Sequence, residues 1–147
     1  MAEAQPVVTV TRRIAASPER VFRAWVEPEL LVRWQFPERS VRLEVAAFEA
    51  RPGGAYRFRF HNADGQVDSV SGTFLELLPP KRLVFSWTWD TTDPDGGAET
   101  RVSVDLAADG DGTQLTVRHE RLPTPTSCRR HQQGWTGALG HLAELCE

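Results

Sequence analysis

The chain has 147 residues, 40% of them hydrophobic and 25% charged, with a formal net charge of -3 and a pI near 5.8. That length suits one domain, residues 1–147, around a single core. The charge balance argues against a nucleic-acid partner, because no run of Lys and Arg is long enough to follow a phosphate backbone. No stretch approaches the roughly 20 apolar residues of a membrane span, and the opening MAEAQPVVTVTRR lacks the apolar segment of a secretion signal, so a cytoplasmic protein is expected.

Val7 to Ile14 reads as a strand, with Val8, Val10 and Ile14 in one phase and Thr9, Thr11 and Arg13 in the other. Ser17-Pro18-Glu19-Arg20 opens a helix. Ser17 is the N-cap, and Pro18 takes the first helical position, where its missing amide is harmless. Val21, Phe22, Trp25 and Val26 give that helix its buried side; Pro28 ends it and starts a second short helical turn carrying Leu30, Leu31 and Trp34.

From Val41 the period changes to two. Val41, Leu43 and Val45 alternate with Arg42 and Glu44, but Phe48 falls out of phase, which predicts a bulge near Ala46-Ala47. Arg51-Pro52-Gly53-Gly54 is a turn, and Tyr56, Phe58 and Phe60 then put an aromatic face opposite Arg57, Arg59 and His61. Asp64-Gly65 signals a hairpin into a strand from about Val67 to Leu77, stopped by Pro79-Pro80. Leu83, Phe85, Trp87 and Trp89 share one phase of the next strand; Thr91 to Ala98 is a loop; Val102, Val104 and Leu106 face one way in the strand after it. Asp109-Gly110-Asp111-Gly112 turns the chain into Leu115, Val117 and His119.

The closing segment, Cys128 to Cys146, carries the one long helical pattern. Trp135, Leu139, Leu142 and Cys146 form a stripe that Ala138 and Leu145 widen, with Thr126 or Ser127 as N-cap. Gly134, Gly137 and Gly140 interrupt it, each less favourable than Ala by roughly 1 kcal/mol. They imply either a close approach of helix to sheet or room left for a ligand. The two cysteines lie 18 positions apart on this helix, about 27 Å at 1.5 Å per residue, so they cannot pair with each other.

The order is strand, two short helices, six strands in a meander, then a long helix: an α+β fold with a curved seven-stranded antiparallel sheet wrapped around the C-terminal helix. A sheet with one apolar face has to cover it, and the last helix alone is long enough to lie along it. The two together enclose space.

Motifs of chemistry are sparse. No nucleophile elbow, zinc-protease or phosphate-loop pattern occurs, no carboxylates are paired in an apolar setting, and no metal or cofactor is implied. Asp109, Asp111, Thr113 and Glu120 mimic positions 1, 3, 5 and 12 of an EF-hand loop, but Gln114 replaces the glycine of position 6 and the alternation there is that of a strand. His119 is the polar residue of most interest. In phase with Leu115 and Val117, it is placed either to face a ligand as acid or base, or to end a strand bonded to a backbone group or to Glu99. His61, Arg57 and Arg59 read as a solvated face.

Several segments together resemble a known family. They are Trp34, Glu49-Ala50-Arg51-Pro52-Gly53-Gly54-Ala55-Tyr56, Asp64-Gly65, Gly72-Thr73-Phe74, the run from Leu78 to Trp87, Gly112-Thr113-Gln114-Leu115-Thr116-Val117, His119 and Gly134-Trp135. In combination they are similar to the activator of heat-shock protein 90 ATPase homologue domain, over nearly the whole chain. The resemblance implies the helix-grip fold shared with START lipid-transfer domains, birch-pollen-allergen-like proteins and polyketide cyclases, with a cavity between sheet and helix.

The leading expectation is therefore a stand-alone START-like domain, monomer or homodimer, that holds a hydrophobic small molecule without covalent chemistry. Phe22, Trp25 and the Trp34-Phe36 segment would gate one end, Trp135, Leu139 and Leu142 would form the helix wall, and Phe58, Phe60, Phe74, Trp87, Trp89 and His119 would line the sheet. The alternatives are a co-chaperone module that contacts a chaperone through its surface, and a cyclase-type enzyme using His119.

Overall fold

The computed structural model describes residues 7–90 and 97–147. The loop expected at Thr91 to Ala98 therefore lies mostly outside the described residues. Strand β1 (Val7–Ile14) leads through α1 (Pro18–Val26) and α2 (Pro28–Leu31) into β2 (Arg42–Phe48), β3 (Ala55–His61), β4 (Val67–Leu78), β5 (Arg82–Asp90), β6 (Thr100–Asp109) and β7 (Gly112–Glu120). The chain closes with α3 (Pro125–Cys146). The strands form one seven-stranded sheet in the order β1-β7-β6-β5-β4-β3-β2, every neighbouring pair antiparallel. Hairpins make every step except one. The two helices carry the chain from β1 at one edge to β2 at the other, so the meander can run back and finish beside β1. This is the helix-grip arrangement.

Local chemistry sets the boundaries. Ser17 caps α1, its Oγ accepting from the Arg20 amide at 3.3 Å, with Pro18 behind it. The pairing of β2 with β3 slips between Val45 and Ala47, and the slip returns Phe48 to the inner face, where its ring stacks 6.4 Å from Phe58. A second slip on β4, between Phe74 and Glu76, pushes Leu75 out to 47% exposure. Gly72 has a different duty. A Cβ there would strike the Ser86 carbonyl and the Tyr56 ring, so the missing side chain lets Tyr56 cross β4 and donate to that carbonyl at 2.5 Å. Burial pushes the Tyr56 phenol well above its ordinary value, which keeps it a donor.

Inside the curve, Val10, Ile14, Leu43, Val70, Leu83, Val102, Val104, Leu115 and Val117 are buried with the inner faces of α1 and α3. Side chains of this size each contribute about 1.5–3 kcal/mol when fully buried. The last helix begins one turn earlier than its periodicity implies. Thr124, not Thr126 or Ser127, is the N-cap, accepting from the Ser127 amide at 3.0 Å, because Pro125 fits the first helical position. Its far end is tied down by Arg20, which donates to the Leu145 carbonyl at 3.0 Å and the Cys146 carbonyl at 3.2 Å. Cys128 and Cys146 are free thiols. No described helix is long and apolar enough to cross a membrane.

The helical glycines divide. At Gly137 a Cβ would be driven into the carbonyl of Pro37, so the close approach is to the segment after α2 rather than to the sheet. Around Gly140 there is open space, and a Cβ added at Gly134 would come no nearer than 4.0 Å to its neighbour Pro37 Cβ, with Gly134 on the border of a cavity.

Candidate functional site

The helix α3 lies nearest β1 and α1. Its N-terminal half therefore stands off the other side of the sheet, and the gap is a cavity of about 440 Å³. One wall is helical: Ser127, His131, Gly134, Trp135 and Ala138. The sheet supplies Phe60, Trp87 and Trp89, and the segment after α2 supplies Gln35, Phe36, Pro37 and Val41. Asn62, Gln66, Asp68, Ser69, Asp90 and Arg130 complete it, and of these Gln66, Asp90 and Arg130 are solvent-exposed. The volume falls in the range of small-molecule pockets, roughly 300–1,000 Å³.

Two indole-to-imidazole hydrogen bonds tie helix to sheet beside the cavity. Trp89 on β5 donates from Nε1 to His131 Nε2 on α3 at 2.9 Å, and His131 Nδ1 donates to the Ser127 carbonyl at 2.7 Å. In the opposite sense, Trp135 on α3 donates to His119 Nδ1 on β7 at 3.1 Å. The remaining His119 proton then sits on Nε2 and goes to Thr100 Oγ1 at 2.7 Å, whose own hydroxyl donates to the Trp87 carbonyl at 2.6 Å. The two imidazoles meet with centroids 4.6 Å apart.

This fixes what His119 can do. Burial first, and the neighbouring His131 second, press its pKa well below the ordinary 6.5, so the ring is neutral. Its partners are Thr100 and Trp135 rather than a backbone group or Glu99, both nitrogens are occupied, and it has no exposed surface. In this arrangement it braces three strands and the helix and presents no proton to the cavity.

The structure sorts the other candidates by depth. Phe60, Trp87, Trp89 and Trp135 come together around the cavity. Trp25, Phe58 and Phe74 border only a small void of about 10 Å³ behind it, with Tyr56 and Phe85. Phe22, Leu139 and Leu142 are packed in the core, and Trp34 is pinned there by its indole N–H to the Ala24 carbonyl at 2.9 Å and by the Trp25 ring 4.6 Å away. Of the residues expected to gate one end, Phe22, Trp25 and Trp34 thus lie in the packed core, whereas Gln35 and Phe36 border the cavity. Charged groups on the outer face pair locally: Arg57 with Asp90, and Arg59 and His61 with Glu44. Among the described residues no cluster of three metal-ligating side chains occurs.

Sequence reasoning passed over the polar lining. Asp68 shares the inner phase with Val70, opposite Phe60, and its carboxylate accepts from Asn62 at 2.9 Å. Gln35 stands between Trp34 and Phe36, a polar residue inside an apolar run. Those interruptions were the available signals.

A protein-family model described as Activator of Hsp90 ATPase homolog 1-like protein matches residues 15–147. The chain belongs to that family. The activator of 90 kDa heat shock protein ATPase homolog 1 of Homo sapiens is 29% identical over 128 residues, which is 87% of this chain and 33% of that protein. The chain thus spans about a third of the length of the curated relatives it matches. Among solved structures, a crystal structure from Chromobacterium violaceum is 30% identical, with a TM-score of 0.88 and 96% of each chain covered. A family member from Silicibacter pomeroyi is 26% identical, with a TM-score of 0.84, covering 95% of this chain and 96% of that one.

Proposed function

We propose that this domain binds a small, largely apolar, ring-containing molecule in the cavity under the N-terminal half of α3, without covalent chemistry. The carrying observation is the cavity itself, a space of about 440 Å³ walled by Phe60, Trp87, Trp89 and Trp135. Two of those indoles are held in place by hydrogen bonds to histidines across the gap. Walls fixed in this way present apolar surface ready for a guest, which spares the guest the cost of ordering it. A cytoplasmic setting is part of this reading. Titration with the dye anilinonaphthalenesulfonate tests it: saturable one-to-one binding in the micromolar range, lost in Gly134→Leu, is expected. No saturable uptake, or unchanged uptake in that variant, would retire it.

A second reading follows from the likeness to the human activator of 90 kDa heat shock protein ATPase homolog 1: an interaction module for a chaperone. It is tested by adding the protein to a 90 kDa heat shock protein and measuring ATP hydrolysis. A rate unchanged at saturating protein removes it.

A further inference from the structure

Gln35 is a carboxamide in an apolar place. It follows Trp34 beyond the α2 turn, is 4% exposed, and lines both the cavity and the small void behind it. Its backbone amide donates to the Leu31 carbonyl at 2.9 Å, which fixes the main chain. The carboxamide forms no hydrogen bond with any described residue. Unlike the sealed indole N–H groups of Trp25 and Trp87, its polar atoms are not fully buried, so a guest in the cavity can reach them and satisfy both donor and acceptor.

The alternatives for a polar anchor are weaker. The indole N–H groups of Trp25 and Trp87 also lack acceptors, but neither has accessible surface. His119 and His131 spend their ring nitrogens on the two bridges. Asp90 and Arg130 lie in solvent, and Asp68 is engaged by Asn62. The Ser127 hydroxyl, also buried on the wall, is engaged with His131 Nδ1 at 3.3 Å, so the Gln35 carboxamide is the buried neutral donor and acceptor of the lining left without a partner among the described residues.

We propose that Gln35 anchors the ligand, pairing with a neutral carboxamide, lactam or similar carbonyl on a ring system whose body lies against Phe60, Trp87 and Trp135. This rests on the small-molecule reading above and sharpens it. A carboxylate or ammonium at that depth would be stripped of water with no counter-charge to meet it, so a charged head group is disfavoured there.

Calorimetric titration of the full chain with 2-naphthamide, 2-naphthoate and 2-methylnaphthalene tests the assignment. Wild-type protein should prefer the amide to the carboxylate. Gln35→Leu should weaken 2-naphthamide about tenfold, the scale of one buried hydrogen bond, and leave 2-methylnaphthalene unchanged. Gln35→Met, of similar length, should behave the same way, and a cooperative melt of each variant guards against misfolding. Equal loss for amide and hydrocarbon, or no loss for the amide, overturns the anchor while the cavity reading stands. Failure of all three compounds to bind wild-type protein overturns both.

Discussion

The two halves of α3 are built from the same stripe and face the same sheet, yet they do different work. From Leu139 to Cys146 the stripe is sealed: Leu139, Leu142, Ala143 and Cys146 are buried, and Arg20 closes the final turn. From Ser127 to Ala138 the same face borders empty volume, and contact with the sheet runs through hydrogen-bonded rings instead of interdigitated methyl groups. The difference comes from what lies opposite. Near β1 and α1 the sheet approaches the helix; toward β3, β4 and β5 it curves away, and long aromatic side chains span part of the distance. A helix leaning across a curved sheet can thus be ballast at one end and a wall at the other.

If that division is right, substitutions should separate stability from binding. Leu142→Ala, in the sealed half with no exposed surface, should lower unfolding stability by about 3 kcal/mol in a denaturant titration. Dye affinity of the folded fraction should stay where it was. An equal loss of both would merge the two halves.

His119→Ala should lower stability by about 2–3 kcal/mol, since it leaves the Trp135 indole and the Thr100 hydroxyl without their partner. It should also change the response to acid. The folded-state pKa of His119 lies below the ordinary 6.5, so below that pH the unfolded chain binds a proton that the folded chain refuses. The contribution is complete above the unfolded value and declines as pH falls toward the folded one, with a limiting slope of about 1.4 kcal/mol per pH unit. Urea midpoints compared between pH 7 and pH 5 should show that decline in wild-type protein and a shallower one in the variant; parallel declines would sink this account.

Smaller effects of opposite sign are expected at two glycines one turn apart. Gly137→Ala meets the Pro37 carbonyl and should reduce stability by about 1–2 kcal/mol, whereas Gly140→Ala enters open space and should add up to about 1 kcal/mol. Gly134→Leu should move the melting temperature least, because its side chain grows into the cavity, while abolishing dye uptake. Thermal melts of the three variants side by side give the ranking.

The fold was legible in the residues because its signals are local. Alternation located the strands, Ser17-Pro18 the first helix, and the lost phase at Phe48 the bulge that the register displays between Val45 and Ala47. The cap of α3 was missed because three hydroxyl residues and two prolines crowd its start, and only the backbone decides among them. Periodicity placed Trp135, Leu139 and Leu142 on one helix face, but it carries no information about how far that face stands from the sheet. The cavity border, with Trp135 on it and the two leucines beyond it, was therefore out of reach. So was the pairing of His119 with Trp135 and Thr100, which joins residues from three separate elements.

The five tryptophans of the chain touch in a single file. Trp34 lies 4.6 Å from Trp25, Trp25 6.0 Å from Trp135, Trp135 5.6 Å from Trp87, and Trp87 5.5 Å from Trp89. At such spacings their electronic transitions couple, so the near-ultraviolet circular dichroism of the protein belongs to the row and not to separate chromophores. Since Trp135, Trp87 and Trp89 also border the cavity, the molecule carries its own optical gauge of occupancy, readable without a label.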